Sequence, residues 1–166
     1  MIDLKPVTSS DAQEIFEAWG RYPENFSYLT ARVFVTVSDA EQYIEKLLPT
    51  PESLAFHMTH PDAGIVGLVK AQVIGHRAQI GYVVHQTFWG KGFATSAVRQ
   101  ITTILEAMPQ VSRIWATCAL ENQGSVRVLE KCGFEREGIL KKWVTYPAHD
   151  GAALDNYSYV KLPARE

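Results

Sequence analysis

The chain has 166 residues, a formal net charge of −2 and a pI near 6.2. With 46% hydrophobic and 20% charged residues it has enough apolar material for one domain, residues 1–166, and too little positive charge to hold a polyanion, so nucleic acid is not an expected partner. Two cysteines, Cys118 and Cys132, make no disulfide framework, the N-terminal MIDLKPVTSSDAQE lacks the flanks of a secretory signal, and no run of about 18 apolar residues occurs; a reduced, cytoplasmic setting without a membrane is expected.

Residues 2–7, IDLKPV, read as a short edge strand with a proline near its end. SSDAQEIFEAW follows as a helix that Ser10 or Asp11 caps, with Ile15, Phe16 and Trp19 on one side. Residues 20–34 are irregular, broken by Gly20 and Pro23. Ser38 and Glu41 have the spacing of a capping box, ahead of a stripe of Tyr43, Ile44, Leu47 and Leu48. LAFHMTH, GIVGLVKAQVI and QIGYVVH then switch to strand character and predict an antiparallel meander. In ATSAVRQITTILEAM, apolar residues recur at intervals of three and four until Pro109, which predicts the longest helix. RIWATCA is a strand. ENQGSVRVLEKCGF is a short helix, with Asn122 as its cap and Gly133 as the left-handed residue beyond its end. Two strands close the chain around YPAHDGAAL. The order predicts a mixed sheet carrying helices.

Between strand and long helix lies FWGKGFAT, residues 88–95. The first amides of a helix lack internal partners and its dipole favours an anion; Gly90 and Gly92 would let the backbone approach a phosphate, with Lys91 and Thr95 adding charge and a hydroxyl. The loop alone reads equally as a plain turn, and its spacing fits neither GxxxxGK[ST] nor GxGxxG.

Taken together, GYVVHQTFWGKGFATSAV and ENQGSVRVLEKCGF resemble the acetyl-CoA-binding core of the GNAT family of N-acetyltransferases, most closely its RimJ/RimL-like branch. Gly92, Ala94, Asn122, Gly133 and Phe134 occupy the motif positions, and Trp89 stands where the broad family has Gln or Arg, as is common in that branch. The resemblance implies an α/β (α+β) GNAT fold: a mixed, mostly antiparallel sheet of six to seven strands, about four helices, and a V-shaped splay between two parallel strands. It implies acetyl-CoA as co-substrate and no metal. Main-chain groups of Val83 and Val84 would pair with the pantetheine arm, and amides of Trp89, Gly90, Lys91, Gly92, Phe93, Ala94 and Thr95 would hold the pyrophosphate. Asn122 and Ser125 would face the thioester.

By the same resemblance, an amine attacks the acetyl carbonyl directly in a ternary complex, with a backbone amide near Val84 serving the oxyanion. The tyrosine that many relatives place one turn beyond Ser125 is Leu129 here, so Ser125 becomes the candidate catalytic donor to the leaving thiolate; Cys132, at the buried end of its helix with no evident base, is disfavoured as a nucleophile. Where many relatives carry a glutamate stand Ala78 and Gln79, and a water chain to Glu121, Glu135 or Glu137 is the remaining source of a base. A weakly basic amine is therefore the expected acceptor, a peptide N-terminus or small molecule; a detoxifying antibiotic or polyamine acetyltransferase and a non-catalytic CoA-binding regulator are the alternatives. A homodimer would follow family habit. His85 is placed to touch CoA or to end its strand, and His57 to face the acceptor cleft or solvent; His60, His76 and His149 are read as solvated turn residues without metal spacing. Trp19, Tyr22, Phe26 and Tyr28 line the acceptor pocket or pack in the core.

Overall fold

The computed structural model describes residues 1–165. Its elements, in chain order, are β1 (Asp3–Pro6), α1 (Ala12–Ile15), α2 (Val37–Leu47), β2 (Leu54–His60), β3 (Gly64–Ile74), β4 (Arg77–Val84), α3 (Phe93–Glu106), β5 (Arg113–Ala119), α4 (Gln123–Lys131), β6 (Glu135–Tyr146) and β7 (Ala152–Lys161). The strands form one seven-stranded sheet in the order β1-β2-β3-β4-β5-β7-β6. Every neighbouring pair is antiparallel except β4 and β5. The meander, the mixed sheet and its seven strands agree with the sequence-based expectation.

Helices cover both faces, which explains why β3 reads as a nearly continuous apolar run. On one face Val69, Ala71, Val73, Ala78 and Ile80 pack with Ala97, Val98, Ile101 and Leu105 of α3 and with Leu129 of α4. On the other, Leu68 and Val83 meet Ile15, Trp19, Phe26, Phe34, Ala40 and Leu47. Alternation along β3 slips near its start, where Ile65 joins the second cluster and Val66 the first. The register against β2 shifts there too, from Met58↔Gly67 to Thr59↔Ile65, leaving Val66 as the extra residue of a β-bulge.

Two local expectations are corrected. The first helix does not run as one α-helix to Trp19: after Ile15 it widens into a π-turn, Phe16–Gly20. Nothing in the spacing of Ile15, Phe16 and Trp19 distinguishes the two forms, and the turn seats Trp19 among Phe26, Phe34 and Tyr43. The second helix starts before Ser38. Thr36 is its N-cap, and the Asp39 carboxylate accepts from the amides of Val35 and Thr36 at 2.8 and 3.0 Å. Asp39 stands three residues after Thr36, as Glu41 does after Ser38, so two overlapping boxes compete and the carboxylate with the shorter side chain makes the bonds.

Candidate active site

The site begins where β4 and β5 part. They pair only over Arg77↔Arg113, Ala78↔Ile114 and Gln79↔Trp115. Beyond this β5 stays with β7 as far as Ala119↔Asn156, and β4 stays with β3 as far as Val84↔Gly67. A wedge therefore opens between Ile80–Val84 and Ala116–Ala119. Residues of an antiparallel ladder turn their main-chain groups to alternate sides. The His85 amide bonds the Val66 carbonyl at 2.9 Å, so the odd-numbered residues down to Gly81 face β3, while Ile80, Tyr82 and Val84 face the wedge. The main chain of Val84 is thus turned to the wedge, whereas Val83 spends its main chain on Leu68 and packs its side chain in the second core.

At the wide end of the wedge the chain turns through Gln86–Phe88 and enters α3. Gly90 and Gly92 have φ of 76° and 78°, the left-handed region, and a side chain at either would meet nothing within 4 Å. The glycines are needed for conformation, and the space before them is open. Gly92 caps α3 without a side-chain bond, and no acidic residue occupies its first turn. The amides from Gly90 through Thr95 have no main-chain acceptor among the described residues. By contrast, α4 fills its N-terminus: Asn122 Oδ1 accepts from the Ser125 amide at 3.2 Å. Asn122 is therefore the helix cap, and that oxygen is already committed.

Trp89 departs from expectation. Its amide bonds the Gln86 carbonyl at 3.1 Å and is not free with those that follow. Its side chain, half exposed, donates from Nε1 to the Val84 carbonyl at 2.8 Å, stapling the loop to the end of β4. Lys91 Nζ lies 5.4 Å over the Phe88 ring. The Cys132 thiol points at the Thr95 carbonyl at 3.5 Å and joins the end of α4 to the start of α3. Burial pushes the thiols of both cysteines up, Cys118 to a pKa of about 11, so neither is a ready thiolate.

Ser125 sits half-buried in the first turn of α4. Tyr82, which the sequence reading left out, reaches across from β4 and donates its hydroxyl to Ser125 Oγ at 3.0 Å. Leu129, one turn on, is buried in the core and cannot replace it.

The remaining candidates scatter. His57 faces neither cleft nor solvent: it is fully buried, with Nε2 donating to Asp11 Oδ2 at 2.9 Å. Asp11, Glu14 and His57 bring three ligand-type atoms within 4.8 Å of one another, and the Asp11 carboxylate there also accepts from the Thr8 amide. His85 accepts from the Thr87 amide at 3.1 Å and stands edge-on to Tyr22, 4.7 Å between centroids. His149 is not merely solvated; it donates to the Ser27 carbonyl at 2.8 Å and stacks on Tyr28, docking the β6–β7 turn onto the segment after α1. Trp19 and Phe26 are core; Tyr22 and Tyr28 are the pair left half-buried. Of the three glutamates, Glu121 and Glu135 are exposed. Glu137 is bound by Arg113 and by Ser158, which hold its carboxyl below the usual range and make it a poor base.

A mixed sheet that splays beside a helix start with free amides offers an extended anionic ligand both a strand edge and an anion site. Residues 2–135 match the Acetyltransferase (GNAT) domain, and the chain belongs to that family. It is 27% identical to the uncharacterised N-acetyltransferase p20 of Bacillus licheniformis, over 97% of this chain and 92% of that one. Among solved structures it resembles the microcin C7 self-immunity acetyltransferase MccE in complex with acetyl-CoA and AMP, at TM-score 0.84 and 25% identity, covering 97% and 92% of the two chains. RimL, the ribosomal L7/L12 α-N-protein acetyltransferase, shares the fold at TM-score 0.84 and 16% identity, covering 97% and 93% of the two chains. The protein is an acetyl-CoA-dependent N-acetyltransferase.

Proposed function

We propose that the acceptor is a weakly basic amine, a peptide α-amine or a small amino compound, acetylated by direct attack in a ternary complex. The observation that carries this is that Ala78 and Gln79, where the parallel pairing of β4 and β5 ends, offer no carboxylate. Ala78 is fully buried and Gln79 pairs with Gln72 on β3. A lysine ammonium has a pKa of about 10.4 and an α-ammonium about 7.7–8.0, so the lysine must spend about 3.4 kcal/mol more to shed its proton. An enzyme without a dedicated base favours the amine that is already partly neutral.

In this reading the pyrophosphate of acetyl-CoA lies on the amides of Gly90, Lys91, Gly92, Phe93, Ala94 and Thr95, supported by their lack of other acceptors. The pantetheine arm takes the place of a missing strand beside Val84 and Tyr82, and the Val84 amide serves the developing oxyanion. Asn122 holds the first turn of α4, and Ser125 donates to the departing sulfur. A thiol with a pKa of about 8.5 is a good leaving group, so one hydrogen bond suffices.

The test is a competition between two peptides, one offering only an α-amine and the other only a lysine side chain, followed by thiol release near neutral pH. The neutral fractions differ by about 300-fold, so a clear α-amine preference is expected. A lysine preference, or turnover confined to polyamines, overturns the proposal.

A further inference from the structure

Tyr82 lies on β4, one wall of the wedge, and Ser125 on α4, the helix that follows β5, yet their hydroxyls meet at 3.0 Å. Tyr82 lies against the α3–α4 core, on the same face as Ile80 and Val84. Burial pushes its phenol well above the ordinary tyrosine value, so it keeps its proton. The titratable groups around it are the thiols of Cys118, on β5, and Cys132, just past α4, both raised by burial.

A serine hydroxyl has one proton and two lone pairs. In the first turn of a helix that proton is easily lost to a nearby main-chain carbonyl. Tyr82 donates to one lone pair and so fixes how Ser125 is turned, with its proton pointing away from the phenol. Donation also polarises the second O–H, because hydrogen bonds in a chain reinforce one another.

We infer that Tyr82 is a positioning residue for the leaving group: the chain Tyr82 O–H to Ser125 O–H ends on the sulfur of CoA. This rests on the proposed role of Ser125. The amine lone pair forms the C–N bond and the C–S bond breaks, its electron pair going to sulfur. Neither hydroxyl gives up its proton. The proton lost by nitrogen is the one sulfur finally carries, and the two hydroxyls stabilise the thiolate until it arrives. Tyr82 thereby supplies from β4 the support that Leu129 cannot give from α4.

Tyr82→Phe, Ser125→Ala and the double variant test this. Tyr82→Phe is expected to lower kcat about tenfold while the KM for acetyl-CoA stays within about twofold. The double variant should be no slower than Ser125→Ala alone, because one chain has been cut in two places. A second readout needs no acceptor. The thiolate absorbance of bound CoASH, taken against the desulfo-CoA complex to cancel Cys118 and Cys132, should titrate about one pH unit higher in Tyr82→Phe than in the unaltered protein. An unchanged kcat with an unchanged thiol midpoint overturns the inference. So do losses that multiply in the double variant, or a change confined to KM and thermal stability, which is what a strut between β4 and α4 would give. If lysine peptides are preferred but Tyr82 still moves the thiol midpoint, the acceptor proposal falls and this one stands.

Discussion

Gly67 is the position where fold and site meet most tightly. It follows the bulge on β3 and pairs with Val84, whose carbonyl receives the Trp89 indole. A methyl group there would stand 2.2 Å from the Val83 carbonyl oxygen, 3.0 Å from Val84 Cα and 3.1 Å from the Val83 carbonyl carbon. Contacts under 3.0 Å are not tolerated, so β3 and β4 would have to part by about 0.8 Å at this point. The obstacle is main chain held in the ladder with Leu68, and no side-chain rotation relieves it. Losing one or two ladder bonds at about 1 kcal/mol each, with about 1 kcal/mol of packing strain, puts Gly67→Ala at about 2–3 kcal/mol. For 166 residues the unfolding entropy is roughly 350 cal/mol/K, so the melting temperature should fall by about 6–9 °C. The displaced strand is the one proposed to pair with pantetheine, and the KM for acetyl-CoA should rise with it. Gly138→Ala, on β6, is the control: a methyl group there meets nothing within 4 Å, and it should be neutral or slightly stabilising. Melting by circular dichroism, with the KM measured well below the transition, decides the matter. A Gly67→Ala protein melting within about 1 °C of the unaltered one refutes the steric argument.

Asn122→Ala removes the cap of α4 and should cost about 1 kcal/mol, or about 3 °C in melting temperature, with a drop in kcat as Ser125 loosens; Asn122→Ser, which can still cap, should restore most of both. Gly92→Ala forces a side chain into φ of 78° with no steric neighbour, so its effect is pure backbone strain of about 1–2 kcal/mol, together with a higher KM for acetyl-CoA as the α3 amides re-aim. Glu137 has a carboxyl lowered by Arg113 and then by Ser158, so its stabilisation is present at neutral pH, begins to fade as pH falls past the ordinary value of 4.5, and is gone below its folded value. Chemical denaturation across that range should show a shallower acid loss for Glu137→Gln than for the unaltered protein, and equal slopes would dismiss the pair.

Period and punctuation account for most of the fold. The stripe through Ala97, Val98, Ile101 and Leu105 places α3, Gly133 has the left-handed φ of 82° expected at its position, and the apolar run of β3 is the mark of a strand covered on both faces. The misses were local competitions. Whether Thr36–Asp39 or Ser38–Glu41 caps α2 depends on which residue turns extended, and a composition window is blind to that. The π-turn after Ile15 is similar, since apolar spacing tolerates one extra residue per turn without losing its face.

The site was legible only as far as main chain defines it. Gly90, Gly92 and the start of α3 are readable because glycine and a helix onset are themselves backbone statements. Contacts between side chains far apart in the chain are not. Tyr82 and Ser125 are 43 residues apart and His57 and Asp11 are 46 apart, and no local pattern joins either pair. One weak signal existed for Tyr82. In QIGYVVH it shares parity with Ile80 and Val84, so once Val84 is placed at the wedge, Tyr82 must lie on its α3–α4 face, one strand repeat deeper. That parity turns the ring toward α4, where Ser125, three residues after a capping asparagine, receives its hydroxyl. Trp89 teaches the complementary lesson. As a residue type it resembled one branch of the family, but its contribution is a hydrogen bond to Val84, which ties the loop of Gly90 and Gly92 to the very strand that the wedge leaves unpaired.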